Sequence, residues 1–290
     1  MGLVYALAAY LSWGLVVPLH FRLLSGFSPW YILAERIVWS TLFAGLLALA
    51  WRKRLRLPVP LSPKHGLLAL SAVFIGVNWL LYLMAIERGH LLDASLGYYI
   101  NPLINVALGR LILGERLRPV QAVAIGIAAA GVAVAVAWAG DLPLMSLALA
   151  LSFALYGLVR KIVAVDSLVG FLAETLFLLP VAVGWLLLTP EPFLQPAPRD
   201  LGLLMLTGLT TALPLIWFAA AAVRLRLTTL GLLQYVAPTC LLLLSILVFG
   251  EHVEPHRAAM FGLIWLGLAL YTVDAVRGRR SEAKATPVRA

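Results

Sequence analysis

The sequence predicts an all-α integral membrane protein, with ten transmembrane helices arranged as two inverted repeats of five. Three observations predict it. Apolar residues make up 62% of the 290 and charged residues 12%, where a soluble domain holds about half and about a quarter. Crossing hydrocarbon takes about 20 apolar residues, and such runs recur almost end to end. A segment of the first half also reappears in the second at a fixed offset, the mark of an internal repeat.

The elements follow in order. A first span over 3 to 22 is too long for the core of a signal peptide and has no basic leader. The second, 30 to 50, carries Glu35 and Arg36, and the third, 66 to 86, carries Asn78 and Trp79. Asn101-Pro102 interrupts the fourth, 92 to 113, and an uninterrupted fifth covers 120 to 138. The sixth, 142 to 159, holds Tyr156; the seventh, 168 to 188, holds Glu174; the eighth covers 200 to 222. Ala237-Pro238 interrupts the ninth, 228 to 249, and the tenth, 257 to 276, leads into a basic segment expected to be a disordered tail.

Ten spans put both termini on one side. Of the Lys and Arg residues, 17 fall on that side and 4 on the other, with Arg36 alone inside a span. The positive-inside rule therefore expects both termini in the cytoplasm, in a multi-pass protein of the inner membrane. The net charge of +9 sits in short loops and the tail, where it sets topology and meets anionic lipid headgroups. Lipid is the expected partner, and nucleic acid is not. Cys240 is the single cysteine, so one chain forms no disulfide and no cysteine-based metal site. No phosphate loop, nucleophile triad or Glu-x-x-His ligand set occurs, and no cofactor or metal is expected. His252 and His256 have a helical ligand spacing, but Pro255 interrupts it.

YINPLINVALGRLILGERLRP, from Tyr99, aligns without a gap on YVAPTCLLLLSILVFGEHVEP, from Tyr235, an offset of 136 residues. Leu33-Ala34-Glu35 likewise echoes Leu172-Ala173-Glu174, and Leu11-Ser12-Trp13 echoes Leu151-Ser152-Phe153. The repeats are expected over 1–139 and 140–276, with a cytoplasmic tail over 277–290. Five helices per repeat force the two halves to insert with opposite orientation. After Gly114-Glu115 the chain turns basic, whereas after Gly250-Glu251 no Lys or Arg comes before Arg257.

The stretches GVNWLLYLMAIERGHLLDASLGYYINPLINVALGRLILGERL, LSFALYGLVRKIVAV, LAETLFLLP and TTLGLLQYVAPT, with RIVWS and FGLIW, carry a resemblance that covers most of the chain. It resembles the RarD-type members of the EamA family, in the drug/metabolite transporter superfamily. The resemblance implies a ten-helix bundle around a central cavity that moves small solutes by alternating access. Two features depart from it: Glu35-Arg36 stands where similar proteins tend to carry His-Arg, and the spacing from Trp13-Gly14 to Pro18 is one residue longer.

An ionisable side chain deep in a span is costly and marks a cavity or a partner. Glu174 is the candidate proton carrier. Arg36, always charged, is the candidate for binding an anionic solute or for balancing Glu174. Glu35 points about 100° away from Arg36 on a helix and is read as structural. Pro102 and Pro238 lie at matching positions in the repeats and free the carbonyls of Tyr98 and Gln234. Paired breaks of this kind point to a substrate site near the midplane. Tyr98, Tyr99, Asn101, Gln234 and Tyr235 are the expected binding groups there, followed by Asn78 and Tyr156. Asn78 reads equally as a bond between helices. Arg160-Lys161 reads as a cytoplasmic anchor, and Glu115 and Glu251 as loop or gate residues.

A secondary transporter of small solutes, without nucleotide hydrolysis, is the leading expectation. A membrane-embedded enzyme needs His, Asp or Ser clustered at one depth, whereas the five histidines scatter to span ends and loops. A scramblase-like protein needs a polar groove facing lipid, whereas the polar groups here fall at corresponding inverted positions.

Overall fold

The computed structural model describes residues 1–51, 63–87, 91–139, 144–189, 197–248 and 252–285, and every regular element among them is helical. They are α1 (Gly2–Leu23), α2 (Pro29–Ala50), α3 (Pro63–Glu87), α4 (Leu91–Leu111) and α5 (Pro119–Ala139), then α6 (Leu144–Val163), α7 (Ser167–Leu188) and α8 (Pro198–Arg224). A helix in two pieces, Leu227–Leu233 and Val236–Leu247, forms α9, and Pro255–Ala285 forms α10. Eight of these helical segments are long and apolar enough to cross a membrane, and Gly66–Tyr82 is a shorter apolar stretch. The remaining helix, α4, carries Asn101, Asn105 and Arg110, which lower its hydropathy. The fold is that of a multi-span membrane protein.

Local chemistry sets the ends. Proline opens α2, α5, α8 and α10, at a position whose N–H has no intrahelical partner to lose. Ser28 Oγ accepts from Tyr31 N at 3.2 Å to cap α2, and Asp166 accepts from Leu168 N and Val169 N to cap α7. Between α6 and α7 the turn is closed by Ala164, at a left-handed φ of 50°.

The sequence expectations need three corrections here. The tail is helical as far as Ala285, because Arg, Glu, Ala and Lys are strong helix formers and the next breaker is Pro287. Pro102 does not break its helix: α4 runs through it, and only α9 turns, at Gln234–Tyr235, three residues ahead of Pro238. Interhelical bonds from Tyr235 and Asn101 flank Pro102, the kind of support that lets a buried helix keep a proline. And α6 continues to Val163 rather than ending at 159, which matters for Arg160 below. Gly250-Glu251, Arg88 and the basic residues of 52–62 lie outside the described residues.

In α1, Ser12–Val16 forms a single π turn. A π turn holds one residue more than an α turn, and it falls where the Trp13 to Pro18 spacing is one residue longer.

The helices pack in pairs that recur with exchanged partners. α1 packs on α8 as α3 packs on α6; α1 on α9 as α4 on α6; α2 on α8 as α3 on α7. α2 with α7, α4 with α9 and α5 with α10 are their own counterparts. The contact of α5 with α10 is made through small residues, as between membrane helices generally. A Cβ on Gly131 would lie 2.8 Å from Met260 O, and one on Gly267 would lie 2.5 Å from Ala124 O. Both residues of the second contact mirror the first at the 136-residue offset of the sequence repeat. An aromatic core of Tyr10, Trp13, Phe153, Tyr156 and Phe218, with Phe153 and Phe218 centroids 5.1 Å apart, joins α1, α6 and α8.

Replacing Gly267 by Leu drives a side chain into the α5 backbone and should cost about 1–3 kcal/mol, seen as a lower melting temperature in detergent. Gly262→Ala, where a Cβ meets nothing within 4 Å, should leave the melting temperature unchanged or raise it slightly. Equal effects of the two would show that the close α5–α10 contact does not hold the bundle.

Candidate functional site

Polar side chains gather at both ends of the bundle, and the two groups differ. At the end that carries the N-terminus, where Gly2 lies beside Arg224 and Leu225, Glu174 of α7 and Arg160 of α6 are each 2% exposed and pair at 3.4 Å. Ser71 Oγ of α3 donates to Glu174 Oε1 at 2.5 Å, and Tyr156 OH donates to Oε2 at 3.3 Å. Arg160 Nη2 also donates to the Ser167 carbonyl at 3.3 Å. This cluster is closed. Nearby, Lys161 Nζ donates to Ala222 O at 3.1 Å and to Leu225 O, fastening α6 to the end of α8.

At the opposite end, two turns into α2, Arg36 Nε donates to Thr211 Oγ1 of α8 at 3.2 Å. The Arg36 guanidinium stacks 4.4 Å above the Trp79 ring and 5.5 Å from that of Phe21, contacts that suit a partly desolvated cation. Tyr82 and Tyr98 lie within electrostatic reach of it, their rings 6.4 Å apart. Tyr98 is 44% exposed, so this group reaches the surface of the bundle. Glu35, one residue away, accepts instead from Trp39 Nε1 at 2.8 Å.

Between the two groups, the amides join helices. Asn78 Nδ2 donates to Leu149 O at 2.9 Å and to Ser152 Oγ at 3.0 Å; Asn101 Nδ2 donates to Ala150 O at 2.5 Å. Asn105 Nδ2 lies 2.9 Å from Asn101 Oδ1 and 3.3 Å from Gln234 Oε1. Tyr235 OH donates to Tyr99 O at 3.0 Å, again across 136 residues. Of the residues the sequence nominated, then, the structure brings Glu174 and Tyr156 together at one end and Arg36 and Tyr98 at the other. Asn78, Asn101, Gln234 and Tyr235 are engaged between helices in this conformation.

One sequence reading is overturned. Arg160 is no surface anchor: α6 outruns its expected end, and the side chain turns inward to Glu174. The available signal was its spacing, because Tyr156 and Arg160 are four residues apart and share a helix face. Ser71, Thr211 and Asn105 were missed outright, since lone hydroxyls and amides in apolar runs carry no sequence signal of what they face. Arg36 and Glu174 do not balance each other. Among the described residues no group of three His, Cys, Asp or Glu could hold a metal; His256 stacks on Trp138.

Glu115 has a definite place. Gly114, at a φ of 64°, reverses the chain after α4, and the Glu115 carboxylate accepts from Leu227 N at 2.6 Å and Thr228 N at 2.9 Å. It caps the first piece of α9 from the segment between α4 and α5, opposite the positive end of that helix dipole.

Comparison with known proteins agrees with this architecture. Residues 1–137 match the EamA-like transporter family. An "Uncharacterized transporter" of Pseudomonas aeruginosa is 46% identical over 96% of this chain and 95% of its own. "Protein RarD" of Escherichia coli is 42% identical over 98% and 97%. A crystal structure 21% identical in sequence superposes with a TM-score of 0.74, covering 94% of this chain and 97% of its own, and shows the same fold.

Removing the cap with Glu115→Ala should cost about 1–2 kcal/mol and speed amide hydrogen exchange at Leu227 to Leu230. Unchanged exchange there would show that the carboxylate does not hold the start of α9.

Proposed function

The chain belongs to the EamA family, as a RarD-type member, and from that membership we propose a secondary transporter that exports small metabolites or drug-like solutes by alternating access, coupled to protons. It would sit in the inner membrane with both termini in the cytoplasm and ten crossings in two inverted repeats, 1–139 and 140–276. The observation that carries the reading is the unequal state of two equivalent places. Arg36 and Thr211 join α2 to α8, and Glu174 and Ser71 join α7 to α3, an exchanged pair of helix contacts. One includes the half-exposed Tyr98, and the other is buried, with Arg160 and Glu174 each 2% exposed. An inverted repeat whose halves adopt different conformations opens to one side at a time.

Further support comes from the exchanged packing pairs, from the Gly131 and Gly267 contacts, and from the excess of basic residues at the end that bears the N-terminus. Moving Arg160 from loop to interior leaves that excess large. In this scheme Arg36 and Tyr98 receive the solute: a guanidinium stacked on an aromatic ring keeps its charge and offers its donors to a carboxylate or other anion. Glu174 carries the proton. In a medium without water its carboxylate is stabilised by Arg160, Ser71 and Tyr156, so losing those partners and taking up a proton go together. Asn78, Asn101, Gln234 and Tyr235 supply interhelical bonds that exchange as the halves rock.

The test is uptake and efflux across a metabolite panel in proteoliposomes. Saturable movement absent from empty liposomes is expected, and none across a broad panel would remove the transporter reading. Glu174→Gln should keep the protein folded while abolishing the pH dependence of transport. Arg36→Lys should raise the half-saturating concentration about tenfold, about 1.4 kcal/mol, through loss of the planar fork. Reporter fusions after residue 276 and within 189–199 test the orientation, and a periplasmic C-terminus would overturn the ten-crossing count.

A further inference from the structure

Arg160 is held more closely than a helix-joining ion pair requires. Its guanidinium lies against α7 at Gly170, one turn before Glu174. A Cβ built on Gly170 would overlap Nη1 and come within 2.7 Å of Cζ and 2.8 Å of Nη2. The side chain could be displaced only by giving up both Glu174 and the Ser167 carbonyl. The first turn of α7 therefore forms a seat for a guanidinium, and it exists because residue 170 has no side chain.

The seat does not satisfy the cation. Arg160 Nε is buried without a hydrogen-bond partner in the protein, and Nη1 meets Glu174 Oε1 only at the long distance of 3.4 Å, a cost that a purely structural pair would be expected to avoid. The closed arrangement is thus held by charge attraction and weakened by incomplete hydrogen bonding, the balance expected of an element that must open. Among the described residues, the charged and titratable groups acting on the Glu174 carboxylate are Arg160 and Tyr156 from α6, with the Ser71 hydroxyl from α3. From α2 and α8, the other helices packed on α7, no charged side chain of the described residues pairs with it; Arg36 of α2 is engaged by Thr211 and Trp79. The pair thereby ties α3, α6 and α7 together at the end that bears the N-terminus. The tight turn at Ala164 leaves α6 and α7 little freedom to separate, so α3 is the helix that can move away.

We infer that Arg160, seated on Gly170, is the positioning residue that latches this end of the bundle shut by holding Glu174 ionised. A proton on Glu174 removes the charge that Arg160 faces, the Ser71 and Tyr156 contacts weaken, and α3 parts from α6 and α7. Proton uptake and opening are then one event, and Gly170 sets their balance. The inference rests on the transporter reading and gives its proton step a mechanical partner.

The experiment follows the opening itself. In a Cys240→Ala background, a cysteine replaces Leu68, which is buried against Val159 and Val163 on the α3–α6 contact. Its reaction with a membrane-impermeant maleimide is measured on purified protein in nanodiscs, each rate normalised to the same cysteine in denatured protein at the same pH. The normalised rate should rise as pH is lowered. Gly170→Ala should raise it about tenfold at neutral pH, and Glu174→Gln should raise it and remove its pH dependence. Arg160→Ala should raise it too, and adding Gly170→Ala to Arg160→Ala should change nothing more, because the methyl then occupies vacated space. If Arg160→Ala does not fold, Arg160→Met gives the same comparison with the chain length kept. Additive effects of the two changes, or a Gly170→Ala protein that is folded and as unreactive as the parent, would overturn the latch. Transport in liposomes is measured beside it. Saturable transport with unchanged labelling removes the latch and keeps the transporter, whereas the labelling pattern above without transport of any solute keeps the latch and removes the transporter.

Discussion

Hydrocarbon offers no hydrogen bonds, so each polar group inside this bundle must find its partner in the protein itself. Helices satisfy the backbone, but side-chain amides, hydroxyls and charges have to reach another helix. Asn78 and Asn101 both reach carbonyls of α6, Tyr235 and Tyr10 reach carbonyls of α4 and α9, and Asn105 lies between Asn101 and Gln234. These bonds fix which helices are neighbours in a medium where apolar packing discriminates little between one helix and the next. Where the bonds are few, the helices meet through glycine instead, as α5 and α10 do.

The same constraint distinguishes the two charged places. Arg36 stacks on Trp79 and donates to Thr211, close to the half-exposed Tyr98. Glu174 is enclosed, and Arg160, Ser71 and Tyr156 are the partners that favour its charged form there. The two places sit on exchanged helix pairs, yet one holds Arg36 bonded to a hydroxyl and the other a buried Arg160–Glu174 pair, so the halves are alike in architecture and different in chemistry. In the proposed cycle an anionic solute would act on one end and a proton on the other.

Gly114-Glu115 shows how one short motif serves such a frame. Its glycine permits the left-handed turn at the end of α4, and the turn carries a carboxylate to the free N–H groups of α9. The repeat of this dipeptide at the corresponding place in the second half was visible in the sequence, but its purpose was not, because the recipient of the cap lies more than a hundred residues away along the chain.

What the sequence determined by itself was everything governed by local periodicity and composition. Runs of apolar residues placed the helices to within a few residues in most cases, the 136-residue offset displayed the repeat, and the scarcity of charge singled out Arg36 and Glu174 as unusual. What only the tertiary structure decided was the partner of each polar group. Arg160 looked like an anchor because it stood next to Lys161 near an expected helix end. It is buried because α6 continues for another turn and Gly170, on a different helix, leaves room for a guanidinium. Ser71 and Thr211 were unremarkable hydroxyls in apolar runs until folding set them against Glu174 and Arg36. The physical reason is one of range: hydropathy and helical period act between residues a few positions apart, whereas the pairing of buried charges depends on distances that exist only after the helices have packed.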